Sequence, residues 1–209
     1  MSQLLENQII QTKSLTKAPL KSRRNERSHQ AILTAAVELL QEKGYRDICI
    51  EALASRAGVG KQTIYRWWSS KAEVIMEAYS PRITENIPTP DTGSVKQDLC
   101  QVLLQLFAIL TTTTAGEAIT GLIAEAQMDA SIASLFRKQF IECRTEVTRT
   151  ILERGIGRGE LRPDTNLELL IDAIYGPIWY RLLLKHGALD EAFAEELVDF
   201  VILRMGIQA

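Results

Sequence analysis

Lys61, Gln62, Thr63, Tyr65, Arg66, Trp67 and Lys71 bring together the side chains best suited to reading a nucleic acid. A glutamine amide can pair in bidentate fashion with adenine and a guanidinium with guanine, while a threonine methyl can contact that of thymine. Gln62, Arg66 and Thr63, with Lys61 beside them, therefore suit base edges. Tyr65, through its hydroxyl, and Lys71, as a point charge near a helix start, suit phosphate oxygens. Each of these residues alone is an ordinary solvated helix face, so their meaning depends on the elements that hold them.

Catalysis needs a nucleophile, a base or a metal set, and the sequence offers none of these in a workable pattern. His29 and His186 stand apart from each other and from Cys49, Cys100 and Cys143. That odd cysteine count lacks CxxC spacing, so no disulfide framework, zinc site or other cofactor is expected. No glycine loop follows a strand. No apolar run reaches bilayer length, and the opening MSQLLENQ lacks the layout of a signal peptide. The expectation is a soluble, cytoplasmic protein with no membrane partner.

An apolar fraction of 46% over 209 residues suits a packed core. The net charge of −2 is unevenly placed: residues 1–80 hold 12 Lys+Arg against 8 Asp+Glu, and residues 81–209 hold 12 against 18. A basic head on an acidic body fits a molecule that touches phosphate at one end.

The reading side chains need two short helices joined by a glycine turn, one bracing and one reading. Residues 51–57 are rich in helix formers and stop at Gly58-Val59-Gly60, and a second helix runs from Lys61 to about Trp67. Val59 is the apolar residue that pins the turn, and Gly60 as N-cap leaves backbone amides open to a phosphate. Ile64 and Trp68, four apart, face inward with Leu53, which leaves Lys61, Gln62, Thr63, Arg66 and Trp67 outward or at the rim.

Ahead of this pair, a helix from about Asn25 carries Ile32, Ala35, Ala36 and Leu39 on one face and stops at Gly44. Ser70-Lys71-Ala72-Glu73 matches a capping box and starts a fourth helix reaching about Ile87. Residues 1–24 hold Pro19 with Lys13, Lys17, Lys21, Arg23 and Arg24 and show no sustained rhythm. They read as a flexible basic arm, either a solvated tail or a phosphate-contacting extension.

Residues 50–71, IEALASRAGVGKQTIYRWWSSK, resemble the DNA-binding signature of TetR-family regulators. The resemblance implies a homodimer on a pseudo-palindromic stretch of double-stranded operator DNA, usually repressing and released by a small-molecule effector. It puts Lys61, Gln62, Thr63 and Arg66 toward the groove, and Tyr65, Trp67 and Lys71 toward the phosphates. Two positions depart from the pattern. Ile48 and Cys49 stand where a hydroxyl residue commonly opens the first motif helix, and Trp67 stands where histidine is frequent. An indole donates one hydrogen bond but never becomes a cation. A ligand- or protein-binding regulator that keeps the motif without reading DNA sequence fits the same residues; it would lack the steep salt dependence of phosphate neutralisation.

Beyond a loop at 87–94, IPTPDTGS, helical spacing recurs over about 95–111, 116–128 and 132–154, with Gly155, Gly157 and Gly159 ending the last. Asp164 and Asp190 are placed to cap two final helices. The expected fold is all-α with about nine helices: an N-terminal three-helix helix-turn-helix DNA-binding domain at 25–70, then a larger helical effector-binding and dimerisation domain at 71–209.

Within that larger domain, Leu103, Phe107, Met128, Phe136 and Phe140 recur on helical spacing and could line an effector pocket or fill the core. The threonine run at 111–114 could offer hydroxyls to a ligand or simply end a helix. The last two helices are apolar on broad faces. Ile171, Ile174, Tyr175 and Ile178 on one, with Leu197, Phe200 and Val201 on the other, are candidates for a dimer interface. Gly176 permits close helix contact and Pro177 kinks the first of them. Two such helices from each subunit would make a four-helix bundle; the same faces could instead be the core of a monomer.

Overall fold

The computed structural model describes residues 20–84 and 87–202, with side chains from Asn25 onward. Among the described residues there is no strand. The helices are α1 (Leu20–Lys43), α2 (Ile50–Ala57), α3 (Lys61–Tyr65), α4 (Lys71–Thr84), α5 (Val95–Thr112), α6 (Ala115–Ala126), α7 (Ala130–Phe136), a π-turn (Arg137–Ile141), α8 (Glu142–Arg158), α9 (Leu167–Leu184) and α10 (Glu191–Val201). The run from α7 through the π-turn to α8 is uninterrupted, so the described chain holds nine separate helical rods, as its apolar periodicity leads one to expect.

Several boundaries differ from expectation for identifiable reasons. Most of the expected basic arm, including Lys13 and Lys17, lies outside the described residues, but residues 20–24 already belong to α1. Helix α4 is described from Lys71 to Thr84, and the expected end near Ile87 falls next to residues 85–86, which lie outside the described residues. Pro81 lies inside α4 and has no N–H for the ladder, and the Thr84 hydroxyl donates to the Ser80 carbonyl at 2.7 Å. Gly155 and Gly157 do not end α8. Gly155 lies where α8 meets α5, since a Cβ there would come within 2.1 Å of Val95 Cγ2. Only Gly159, at φ 77°, turns the chain out of the helix. Asn166, not Asp164, caps α9 by accepting from the Leu169 amide at 3.1 Å, while Asp164 pairs with Arg162 at 2.9 Å. Asp190 caps α10 as expected, accepting from the Phe193 amide at 2.9 Å.

One core runs through the whole described chain. It starts among Ile32, Ala36, Leu39 and Leu40 of α1, takes in Leu53, Ile64 and Trp68, and continues along α4 into the body. Helix α4 buries Ala72, Val74, Ile75, Met76, Ala78, Tyr79 and Ile83. It packs on α1 at one end and on α6, α7 and the π-turn at the other. Each large apolar side chain so buried contributes roughly 1.5–3 kcal/mol, which makes α4 a stiff strut between head and body. Helix α5 is the central rod of the body, burying Val95, Leu99, Val102, Leu103, Leu106, Phe107 and Leu110. No single described helix is long and apolar enough to cross a membrane; α5 and α6 reach that length and composition only as a pair bent by 87°.

Candidate nucleic-acid interface and effector cavity

The turn between α2 and α3 is closed by backbone geometry. Gly58 takes the left-handed conformation at φ 65°, and the Val59 amide donates back to the Ala54 carbonyl at 3.0 Å. Val59 then packs, half-buried, against the core. Gly60 is the extended N-cap of α3, and the Thr63 amide donates to its carbonyl at 2.8 Å. Arg56 staples α2 to α1 by donating to Glu42 at 2.8 Å and Glu38 at 3.1 Å.

Ile64 is fully buried and anchors α3, so the residues around it are forced outward. Gln62 and Arg66 are exposed, Tyr65 is 55% exposed, and Thr63 is half-buried at the rim. Lys61 is exposed but engaged: its Nζ donates to Glu51 Oε1 at 2.9 Å across the turn. That hydrogen bond raises the ammonium above its ordinary pKa and lowers the carboxylate below its own. Glu51, a partner that sequence reasoning missed, thus holds Lys61 in check; its position on the preceding helix, ten residues away, was the available signal.

Two of the residues expected at phosphates are placed otherwise. Trp67 is half-buried, edge-on to His29 at 5.3 Å and to Trp68 at 5.6 Å, and helps to fix α3 on α1. His29 also stacks on Trp68 at 4.8 Å and pairs with Glu77 at 2.9 Å, while the Trp68 indole donates to the other oxygen of Glu77 at 2.7 Å. Lys71 points into the molecule. Its Nζ donates to the Tyr45 carbonyl at 3.2 Å, lies over the Tyr45 ring, and faces Glu125 of α6 at 3.7 Å. The capping box at the start of α4 is present in shifted form. The Glu73 amide donates to Ser70 Oγ at 3.3 Å, and the Glu73 carboxylate reaches back to the amide of Ser69 rather than that of Ser70, at 2.7 Å.

In the body, the expected pocket residues separate. Leu103 and Phe107 are core residues of α5, Phe107 stacking on Phe193 at 5.9 Å. Met128 is 93% exposed after the end of α6. Phe136 packs on Phe140 at 5.2 Å, and Phe140 lines a cavity of about 310 Å³ between α8 and α9. Ile141, Arg144, Thr145, Tyr175, Gly176 and Trp179 also line it, with Asp172. The threonine run closes a helix: the hydroxyls of Thr111, Thr112 and Thr113 donate to carbonyls four residues back, and Thr114 bonds Tyr79 at 2.6 Å.

The candidate interface residues are corrected in the same way. Ile171, Ile174, Tyr175, Ile178, Leu197 and Val201 are buried within the single chain, where they join α9 and α10 to its own core. Only Phe200 among them is exposed, at 64%, and it shares the surface of these two helices with Leu169, Tyr180, Leu183 and Leu184.

Comparison with known proteins matches residues 32–78 to the model of bacterial regulatory proteins of the tetR family, and residues 89–201 to that of the tetracyclin repressor-like C-terminal domain. The HTH-type transcriptional regulator YdeS of Bacillus subtilis is 42% identical over 84% of this chain and 88% of its own length. The DNA-binding transcriptional repressor TetR of Mycobacteroides abscessus is 30% identical over 86% of this chain and 94% of its own. Among solved structures, the TetR family transcription regulator SCO0332 superposes with a TM-score of 0.69 at 31% identity, covering 84% of this chain and 96% of that one.

Proposed function

The chain belongs to the TetR family of bacterial transcriptional regulators, and from that premise we propose that it is a repressor that grips a pseudo-palindromic operator as a homodimer and is released by a small molecule. The observation that carries the reading is α3 itself. Ile64 pins the helix to the core, while Gln62, Tyr65 and Arg66 stand exposed on it beside Thr63, the side-chain types that base edges and phosphates call for. The exposed apolar face of Leu169, Tyr180, Leu183, Leu184 and Phe200 on α9 and α10 supports association with a second copy. The similarity to the DNA-binding transcriptional repressor TetR of Mycobacteroides abscessus, over 94% of that protein's length, supports repression over activation.

In this reading α4 is the transmission element. An effector bound among the body helices displaces α4, and with it the spacing of the two α3 helices in the dimer. Half-sites one DNA turn apart need that spacing near roughly 34–36 Å, so a few ångströms of splay remove much of the specific affinity.

The test is selection of random duplex DNA by the purified chain at physiological salt, followed by sequencing of the retained fragments. Enrichment of a palindrome with half-sites one turn apart is expected. Retention without any sequence preference would overturn the operator reading and leave a protein that keeps the motif for another purpose.

A further inference from the structure

We propose that the cavity between α8 and α9 is the effector site, and that it takes a small monocarboxylic acid with an apolar body whose carboxylate is held by Arg144. This rests on the reading of the protein as an effector-released regulator and names the effector's class.

Arg144 is 4% exposed and lines the cavity. Its Nη2 donates to the Ile83 carbonyl at 2.8 Å, but its Nη1 is buried with no hydrogen-bond partner. Among the described residues no carboxylate lies within ion-pair distance of it. Burial pushes the guanidinium below its ordinary pKa, yet arginine stays protonated in proteins, so among the described residues it is a buried cation without an anion. A charge left in this state is among the costliest features a core can carry, and an incoming anion relieves it.

The remaining lining defines what that anion belongs to. Phe140, Ile141 and Trp179 supply apolar and aromatic walls, and Gly176 leaves the wall open on α9, since a Cβ there would meet nothing within 4 Å. The Tyr175 hydroxyl is already taken by Thr148 at 2.8 Å, so it offers little competition for the ligand's head group. The volume of about 310 Å³ is at the small end of ligand sites, which run from roughly 300 to 1,000 Å³. One free guanidinium nitrogen suits a single carboxylate. A phosphate would bring a second negative charge toward a cavity whose other charged wall residue is Asp172. The same guanidinium grips the last turn of α4 at Ile83, so a carboxylate pulling on Nη1 acts directly on the helix that leads to the reading head.

The test is isothermal titration calorimetry on the full chain with hexanoate, octanoate, phenylacetate and cinnamate, each against its primary amide. At least one acid is expected to bind at least tenfold more tightly than its amide. Arg144→Met should abolish that preference, with thermal unfolding followed by circular dichroism to establish that it folds. Thr145→Leu adds bulk to the α8 wall of the cavity while keeping the Arg144 guanidinium, and should weaken acid and amide alike. No acid binding better than its amide, or acid binding unchanged in Thr145→Leu, would overturn the assignment. Operator selection is scored separately: a chain that selects a palindrome but ignores all four acids loses this site and remains a regulator, whereas acid binding without operator selection keeps the site and removes the regulator.

Discussion

The ring of Tyr45 rests directly on Gly121: a Cβ added to that glycine would lie 2.2 Å from the ring's Cγ. The contact joins the α1–α2 loop of the head to α6 of the body, and the neighbouring groups reinforce it. The Tyr45 amide donates to Glu117 Oε1 at 2.9 Å, and its carbonyl accepts from Lys71, whose ammonium faces Glu125. Amide, ring and carbonyl of one residue are thus all held by α6 or by the first residue of α4. Together with the Tyr79–Thr114 and Arg144–Ile83 hydrogen bonds, this clasp ties the reading head to the body at both ends of α4.

Gly121→Ala tests the clasp. The atom met is the root of a rigid ring with backbone held on both sides, so it cannot swing away as a flexible chain end would. Overpacking of this kind costs about 1–3 kcal/mol, and urea unfolding of the variant should show a loss in that range. Unchanged stability would mean that the loop shifts freely and is no clasp.

Lys71→Met separates two roles for one ammonium. Because Nζ faces Tyr45 and Glu125, the substitution should lower stability by on the order of 1 kcal/mol and leave the salt dependence of DNA binding unaltered. A log–log salt slope flattened by about one would instead mean that the side chain swings out to a phosphate in the complex.

Glu51→Gln should act in the opposite sense. Released from its partner, Lys61 becomes available to DNA, so binding to duplexes of any sequence should tighten and the salt slope steepen by about one. An unchanged slope, measured by fluorescence anisotropy over a salt series, would take Lys61 away from the phosphates.

Gln62→Ala addresses base reading. Gln62 is exposed on α3 and its removal disturbs no core contact, so the fold should be unaffected. On the selected operator it should cost on the order of 1–3 kcal/mol and relax preference at one base step. An unaltered selection profile would leave α3 positioned by its other residues.

How much of this was legible in the sequence follows from what fixes each feature. The α2–α3 turn is determined by residues within a few positions of each other, so Gly58, Val59 and Ile64 revealed it. Lys71 misled because a long side chain at a helix start can reach either DNA or the body, and Glu125, which draws it inward, is 54 residues away. Trp67 turned inward for a similar reason: its partner His29 lies on α1. The π-turn and the unpartnered Nη1 of Arg144 leave no periodic trace at all. On α9, apolar residues occupy nearly the whole circumference, so periodicity could not say which face meets the core. The spacing of Ile171, Ile174 and Ile178 selected the inner face, and the outer one carrying Leu169, Tyr180, Leu183 and Leu184 went unnoticed.

That outer face gives the last prediction. A double substitution, Leu184→Asp with Phe200→Asp, places two charges on side chains exposed in the single chain, so it breaks no packing within it. Surface changes of this kind usually alter stability by less than about 0.5 kcal/mol, and the helical circular dichroism and unfolding midpoint of a monomer should be preserved. At a dimer interface the same charges would be buried without partners, which strongly disfavours association. Sedimentation equilibrium should therefore show the parent as a dimer and the variant as a monomer, and operator affinity should collapse because one α3 can occupy only one half-site. Ile174→Asp serves as the contrast: with its side chain in the chain's own core, it should unfold the protein rather than split it. If the double variant sediments as the parent does, the exposed faces of α9 and α10 are not where two copies meet.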